Sequence, residues 1–434
     1  MGWNLFYQLE LILEHDKLID EVGFIHPAQF AALDEGSNSS LNQLANQSPD
    51  IILTSRTGDS NSVQYDKTVF WYSNHKLAIS VQVLPQLYHA ALQAYMSVRG
   101  SYKQINGSSS NINSFDNASD RADFKHILEM DILKHTRSLL ILSYDFNSAW
   151  NSRKLVLSRK HDSSLFLEEL QLCALILSYA PKSESSWRHR RWVIKMIAEN
   201  FQNLQEIVEE ESQLVKNIAE KSKMNYRAWN NHCWLVCYMT RSQVLDELKK
   251  SRKWAELHVA DNCCFHYRRR LILRMLEGNS VKQDEESSVS YDVYTVWKEE
   301  LQWNELLIKR YMGREALWVH RRFLSHCWIK HFATIGQEFS PHLEADNGVN
   351  SGLNDFLGEE LRLLHACLNT PADGFDDSPA QAQYAASYIL YISKQIHLLG
   401  EYKLQERLKE AGDLKALLRK TCPEKLLLWE SLLD

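Results

Sequence analysis

Basic and acidic side chains recur at fixed spacing along the middle of this sequence, and these are the residues that could do chemistry. Basic residues stand at Arg153, Arg190, His232, Arg268 and Arg321, each three positions after a large aromatic, namely Trp150, Trp187, Trp229, Phe265 and Trp318. Acids stand nineteen positions before the same aromatics, at Asp131, Glu168, Glu210, Asp246 and Glu299. A cation inside an apolar arc must snorkel, stack on a ring or meet an acceptor, because an unpaired buried charge is expensive. Each aromatic and its basic residue therefore read first as a stacking and hydrogen-bonding device between helices. A carboxylate repeated once per unit serves the unit, so the acids read as charge near a helix start or as bridges to an adjacent unit, ahead of any catalytic role.

Two further groups invite a chemical reading. The runs Arg188-His189-Arg190-Arg191, Arg268-Arg269-Arg270 and Arg321-Arg322 follow the aromatics. Consecutive residues fan around a helix, so each run is either a solvated face or an acceptor surface for an acidic partner or a diphosphate. His232, Cys233 and Cys237 are metal-ligand types, but positions one and five apart on one helix cannot close around a tetrahedral ion alone. No second ligand pair accompanies them, so the expectation is core packing and no metal. No Gly-rich phosphate loop and no nucleophile motif is found.

The elements that must position these residues follow from the same columns. Six after each aromatic comes an aliphatic residue, Val156, Val193, Leu235, Leu271 and Leu324, and eight after each acid an apolar one, Leu139, Ile176, Ile218, Trp254 and Leu307. Five matches in every column make five copies of a first helix of about four turns, a break, and a second helix opened by the aromatic. Asp145 with Asn147, Pro181 with Ser183, Asn225 and Gly313 supply caps or breakers in the turns.

The chain thus divides into 1–120, N-terminal helices with polar insertions at about 34–62 and 100–117; 121–330, the five repeats; and 331–434, degenerate capping helices. In detail, a helix is expected over 1–23, flexible polar chain over 34–62, helix over 69–98 interrupted at Pro85, and a polar loop over 278–290. Further helices are expected at 355–368, 379–398 and 403–419.

Composition agrees with an all-α protein: 434 residues with only 15 Gly and 8 Pro, 44% hydrophobic, 24% charged, and 13 Trp. The net charge of −6 argues against a nucleic-acid binder. The first fourteen residues lack a basic leader, no stretch reaches a membrane-spanning length, and Cys173, Cys327 and Cys367 lie in apolar helical stretches as reduced thiols do, so a soluble cytoplasmic protein is expected.

Asn225-Tyr226-Arg227-Ala228-Trp229 and Trp187-Arg188-His189-Arg190-Arg191-Trp192-Val193-Ile194 resemble the repeat of protein prenyltransferase α subunits, whose hallmark is Asn-Tyr-x-Ala-Trp-x-x-Arg. His232 departs from it where Arg is usual. With its divergent ends and polar insertions, the chain looks most like the protein prenyltransferase α-subunit repeat-containing protein family, over about 121–330. The resemblance implies a right-handed α-α superhelix of helical hairpins wrapped around a β subunit that holds zinc and the isoprenoid. This chain would then bind no cofactor and be inactive alone. The partner implied is a β subunit of the Rab geranylgeranyltransferase type, and the reaction is geranylgeranyl transfer to cysteine of a protein substrate.

The resemblance also implies one site residue. Lys182 stands five before Trp187, where the family has a Lys at the edge of the diphosphate site, although Ser183 and Glu184 replace the Asn and Tyr that follow it there. Two rival readings are a protein-binding helical adaptor, disfavoured in its tetratricopeptide form by the uneven spacing, and a helical-repeat RNA binder, disfavoured by the acids and the net charge.

Overall fold

The structure, a computed structural model, describes residues 2–30, 32–33, 66–107, 118–160, 162–277, 286–332, 348–368 and 377–397, with isolated positions beyond. It is dominated by α-helices and consists of two compact units, Met1–Asn231 and His232–Asp434.

The first unit opens with helix α1 (Gly2–His15), whose Leu5, Leu9, Ile12 and Leu13 are buried. The helix expected over 1–23 stops there, because Asp16 turns the chain: its Oδ1 accepts the Leu18 N–H at 2.8 Å, an alternative to continued helix. Gly23 lies instead in strand β1 (Glu21–Ile25), which pairs in parallel with β3 (Lys76–Ser80), itself antiparallel to β2 (Phe70–Ser73). The helix expected from Val69 therefore begins as a hairpin. Its two-residue loop, Asn74-His75, has φ of 48° and 61°, the paired left-handed conformation that matches strand twist. Asp16 Oδ2 fastens this loop by accepting the Tyr72 hydroxyl and contacting His75 Nδ1, both at 2.8 Å.

Helix α2 (Leu84–Gly107) follows. Pro85 does not interrupt it but sits in its first turn, where a missing N–H costs no hydrogen bond. The polar linker expected from residue 100 is helical to Gly107, and 108–117, like 34–62, lies outside the described residues.

The repeats form helix pairs. In the first unit these are α3 (Ala118–Leu142) with α4 (Asn147–Leu157) and α5 (Ser163–Tyr179) with α6 (Glu184–Asn200). Helix α7 (Leu204–Lys221) then leads to α8 (Tyr226–Leu235), in which the boundary between units falls. The sheet, α1 and α2 close over α3 to α5 in one core that runs from Leu5 to Ala180.

In the second unit, α9 (Arg241–Leu257) pairs with α10 (Asn262–Glu277), α11 (Glu286–Arg310) with α12 (Glu315–Cys327), and α13 (Gly348–Leu368) with α14 (Asp377–His397). Helix α11 starts inside the loop expected over 278–290, of which 278–285 lies outside the described residues, as does nearly all of 403–419. Among the described residues no helix is long and apolar enough to cross a membrane.

Turn chemistry works in several ways. Ser183 caps α6 by accepting the Ser186 N–H, Asn225 Oδ1 accepts the Ala228 N–H at 3.2 Å, and Gly313 has φ of 70°. Asp145 and Asn147 do not cap α4. They accept hydrogen bonds from Ser183 and Ser185 at 3.3 and 3.2 Å, while Asn225 Nδ2 donates to the Pro181 carbonyl at 2.8 Å, so successive turns are tied to one another.

Candidate functional site

All five anchor rings are buried: Trp187 and Phe265 are 0% exposed, and Trp229, the most open, 5%. Burying an indole demands an acceptor for its N–H. Trp150 donates to the Tyr144 carbonyl at 2.8 Å, Trp187 to the Pro181 carbonyl at 3.0 Å and Trp318 to Gln381 at 3.2 Å.

The basic column is buried with them, and its arginines make the same connections in each repeat. Arg153, Arg190, Arg268 and Arg321 each donate Nη1 to a carbonyl twenty residues earlier, on the first helix of their own pair: Leu133, Leu170, Leu248 and Leu301. The rest of each guanidinium forks onto a carboxylate in the first helix of the next pair. Arg153 meets Glu169, Arg190 meets Glu211, Arg268 meets Glu300 at 2.7 and 2.5 Å, and Arg321 meets Glu360 at 2.9 and 2.6 Å. Each arginine therefore joins three helices with bidentate geometry.

The carboxylates are not those read from the sequence. Glu210, Asp246 and Glu299 are exposed and Asp131 and Glu168 only half-buried; the partner is the next residue, buried Glu169, Glu211 or Glu300 and half-buried Glu247. One step along a helix turns a side chain by about 100°, which separates the solvated acid from the bonded one.

In three of the pairs a second residue, two after the anchor, approaches the carboxylate that the preceding pair's basic residue faces. His189 Nε2 lies 2.8 Å from Glu169, His320 Nε2 2.9 Å from Glu300, and the Tyr267 hydroxyl donates to Glu247 at 2.9 Å. Burial works against charge on Glu169, but Arg153 and His189 outweigh it and hold the carboxyl down at about 2. Glu300 is likewise held well below the carboxylate range, burial being outweighed by Arg268 and His320. Burial pushes both histidines down despite their carboxylates, so they are neutral and carry the proton on Nε2, facing an oxygen that can only accept.

The chain of ion pairs changes character once. His232 replaces Arg, stacks on Tyr267 with centroids 3.9 Å apart, and approaches Glu247 only to 3.6 Å. Burial lowers it to about 3, so this link is neutral. Cys233 is buried beside it and Cys237 exposed. Among the described residues no three His, Cys, Asp or Glu side chains converge as a metal set. Cys173 and Cys327 are pushed up to about 12 by burial, the state of inert core thiols.

The ladder also runs further than the sequence pattern. Glu360 on α13 receives the Tyr388 hydroxyl from α14 at 2.5 Å, as Glu300 receives His320. The tyrosine lies 28 residues after its glutamate rather than 20, and Ala386 stands where the anchor tryptophan would be.

Lys182 lies apart from this buried array, exposed on the turn before α6. It lines a cleft of about 360 Å³ with Glu184, Arg191, Met224, Asn225, Tyr226, Arg227 and Asn230. Met224 occupies the same place before Trp229 as Lys182 before Trp187, and holds φ at 53°, strained for a residue with a side chain. Met224 and Tyr226 are exposed at 77% and 64%. Glu184 does not oppose an anion here, because Arg191, at 3.4 Å, and Arg227 both bind it. Three cations against one carboxylate leave the cleft cationic.

Comparison with known proteins matches this architecture. The model of the protein prenyltransferase alpha subunit repeat matches residues 166–197, 208–239 and 244–275, which contain the Trp187, Trp229 and Phe265 anchors. The human protein prenyltransferase alpha subunit repeat-containing protein 1 is 30% identical over 277 residues, 54% of this chain and 67% of that protein. Protein prenyltransferase alpha subunit repeat-containing protein 1-B of Xenopus laevis is 28% identical over 44% of this chain and 54% of its own length. The geranylgeranyl transferase type-2 subunit alpha of Saccharomyces cerevisiae is 23% identical over 38% of this chain and 53% of its own length. With its Trp–Arg helix pairs, the repeat matches and the extent of the human alignment, the chain belongs to the protein prenyltransferase alpha subunit repeat-containing family.

Proposed function

We propose that this chain is the non-catalytic α subunit of a heterodimeric protein prenyltransferase that transfers a geranylgeranyl group to cysteine of a protein substrate. Zinc and the isoprenoid would be held by a β subunit of the Rab geranylgeranyltransferase type. The observation that carries the reading is the Lys182 cleft. Its Lys182 ammonium stands exposed on the turn before α6, and Glu184, the one carboxylate lining it among the described residues, is already engaged by Arg191 and Arg227. Such a rim suits a diphosphate leaving group, whose charge grows as the carbon–oxygen bond breaks. The similarity to the yeast geranylgeranyl transferase subunit supports the choice of isoprenoid and partner.

The test is reconstitution with that β subunit and single-turnover transfer of geranylgeranyl to a protein cysteine. Transfer is expected only with both chains present. Lys182→Ala should slow it on the order of 10²-fold while leaving heterodimer affinity unchanged, the signature of a donor acting in the transition state. Zinc-dependent transfer by this chain alone would overturn the reading. Failure to bind any β subunit would leave the helical adaptor as the better account.

A further inference from the structure

A second cationic column lies one residue beyond the ladder and is not consumed by it. Four after the anchors stand Lys154, Arg191, Cys233, Arg269 and Arg322. In the second unit, Arg269 on α10 and Arg322 on α12 are half-buried at equivalent positions of two helices that pack together. Arg268 and Arg321, their immediate neighbours, each meet two carboxylate oxygens, yet neither Arg269 nor Arg322 forms an ion pair among the described residues. Nη1 of Arg269 and Nε of Arg322 are buried without a hydrogen-bond acceptor among those residues. The Arg322 guanidinium is held over the Tyr391 ring at 5.8 Å.

Among the described residues Arg269 has the like charge of Arg270 beside it and the imidazoles of His266 and His320 near it, both of which it helps to hold neutral. Burial lowers the affinity of Arg269 for its proton, and Cys233 offsets this only in part. A half-desolvated guanidinium without an acceptor among the described residues is costly, and an external carboxylate relieves that cost.

The first unit repeats the arrangement only at Lys154, since Arg191 there is engaged by Glu184. Lys154 lies over the Trp192 ring at 5.6 Å, and burial together with Arg188 lowers both it and Arg191. The chain as a whole carries −6, so the cations are local features against an acidic background, which suits a protein carboxylate better than a long polyanion.

We infer that Arg269 and Arg322 form a docking surface for carboxylate side chains of a partner protein, and that the partner is the β subunit. The choice of partner rests on the heterodimer reading above; the surface is separate from the Lys182 cleft. Arginines already desolvated and held by ring and helix lose little freedom when a carboxylate arrives, so each contributes orientation as well as charge.

The experiment measures binding of the full-length chain to the β subunit at 50 and 200 mM salt for wild type, Arg269→Gln, Arg322→Gln and the double variant, with a thermal melt of each. Melting temperatures close to wild type are expected, because neither cation has a carboxylate partner among the described residues and Arg322→Gln gives up only the contact with the Tyr391 ring. The double variant should bind roughly tenfold or more weakly and lose most of the salt dependence. Carbodiimide cross-linking of Arg269→Lys should join the introduced amine to an Asp or Glu of the β subunit. Wild-type affinity in the double variant, or destabilisation of the isolated chain by either substitution, would overturn the inference while leaving the heterodimer standing. A wild-type chain that does not bind the β subunit would overturn both.

Discussion

Breaking one rung of the ion-pair ladder should cost far more than removing the rung whole. Arg268 is 1% exposed and makes four hydrogen bonds: two to Glu300, one to the Leu248 carbonyl at 2.6 Å and one to Ser251 Oγ at 2.7 Å. Arg268→Met leaves the Glu300 carboxylate buried with only neutral His320 against it, and Glu300→Leu leaves the guanidinium without its counter-ion. Each single change should cost about 3–5 kcal/mol, the penalty of an uncompensated buried charge. The double variant removes both charges at once and keeps the volume filled. Its remaining cost is the unpaired His320 nitrogen, about 1–3 kcal/mol, because the Leu248 carbonyl still accepts from the Ser251 hydroxyl. The sum of the singles is then about 6–10 kcal/mol, so the coupling should be at least about 3 kcal/mol.

The assay is urea unfolding of the four proteins followed by far-ultraviolet circular dichroism, with stabilities extrapolated to water and compared at constant slope. Single variants costing under about 1 kcal/mol, or a double variant additive within about 0.5 kcal/mol, would refute the claim that the ladder is a set of desolvated pairs holding adjacent helix pairs in place.

Trp187→Ala removes a fully buried indole and its bond to the Pro181 carbonyl, and should cost about 3–5 kcal/mol in the same unfolding assay. Glu169→Gln should destabilise strongly, whereas Glu168→Gln, whose half-exposed carboxylate pairs with Lys17, should change stability by less than about 1 kcal/mol; equal effects would contradict the register. His232, held at about 3, binds a proton more readily unfolded than folded, so stability is fully present above its ordinary value of 6.5 and falls as pH drops towards 3. About 2 kcal/mol should be lost between pH 6.5 and 5, and His232→Phe should flatten that slope. Glu169 is depressed from 4.5 to about 2, so its contribution is present above 4.5 and lost as pH falls to 2; Glu169→Gln should remove that lower limb of the stability profile.

The anchors and the basic column were legible because burial constrains them twice, once in ring size and once in the need for an acceptor. The acid column was legible only to within one residue. Glu168-Glu169, Glu210-Glu211, Asp246-Glu247 and Glu299-Glu300 are doublets, and only the first repeat separates the two positions, with Asp131 followed by Ile132. A full set of five acids drew the reading to the outer position. The bonded position needs only four, because the first repeat has no preceding arginine to neutralise. The sheet was hidden by strands of four and five residues whose hairpin loop, Asn74-His75, lacks the glycine that usually marks such a turn. The helices α13 and α14 were expected at 355–368 and 379–398, but their place in the ladder was hidden because alanine replaces the anchor, leaving Glu360 and Tyr388 as its trace. Lys182 could be singled out through the family resemblance, but the arginines that quiet Glu184 come from a different turn of α6 and from the next repeat, which no local pattern reveals.

Amphipathic helix pairs with interchangeable apolar stripes do not by themselves fix which pair stacks on which, or at what height. The arginine fork supplies that information. Its Nη1 is satisfied only twenty residues back on its own pair, and its other two nitrogens only where the next pair presents a glutamate at the same depth. A slip of one residue along the receiving helix would trade Glu300 for Leu301 or the solvated Glu299, and would bury a guanidinium against nothing. The charges therefore set register more than they add stability, the role in which buried polar groups are best attested. At His232 that demand is relaxed, since a neutral ring stacked on Tyr267 tolerates displacements that a bidentate ion pair does not. His232→Arg would place a guanidinium opposite Glu247, and the pair it forms should raise stability at neutral pH only if Glu247 can reach it with both oxygens. Stabilisation would mean that the repeat was built for an ionic link and lacks it; destabilisation would mean that the stack on Tyr267 has replaced it.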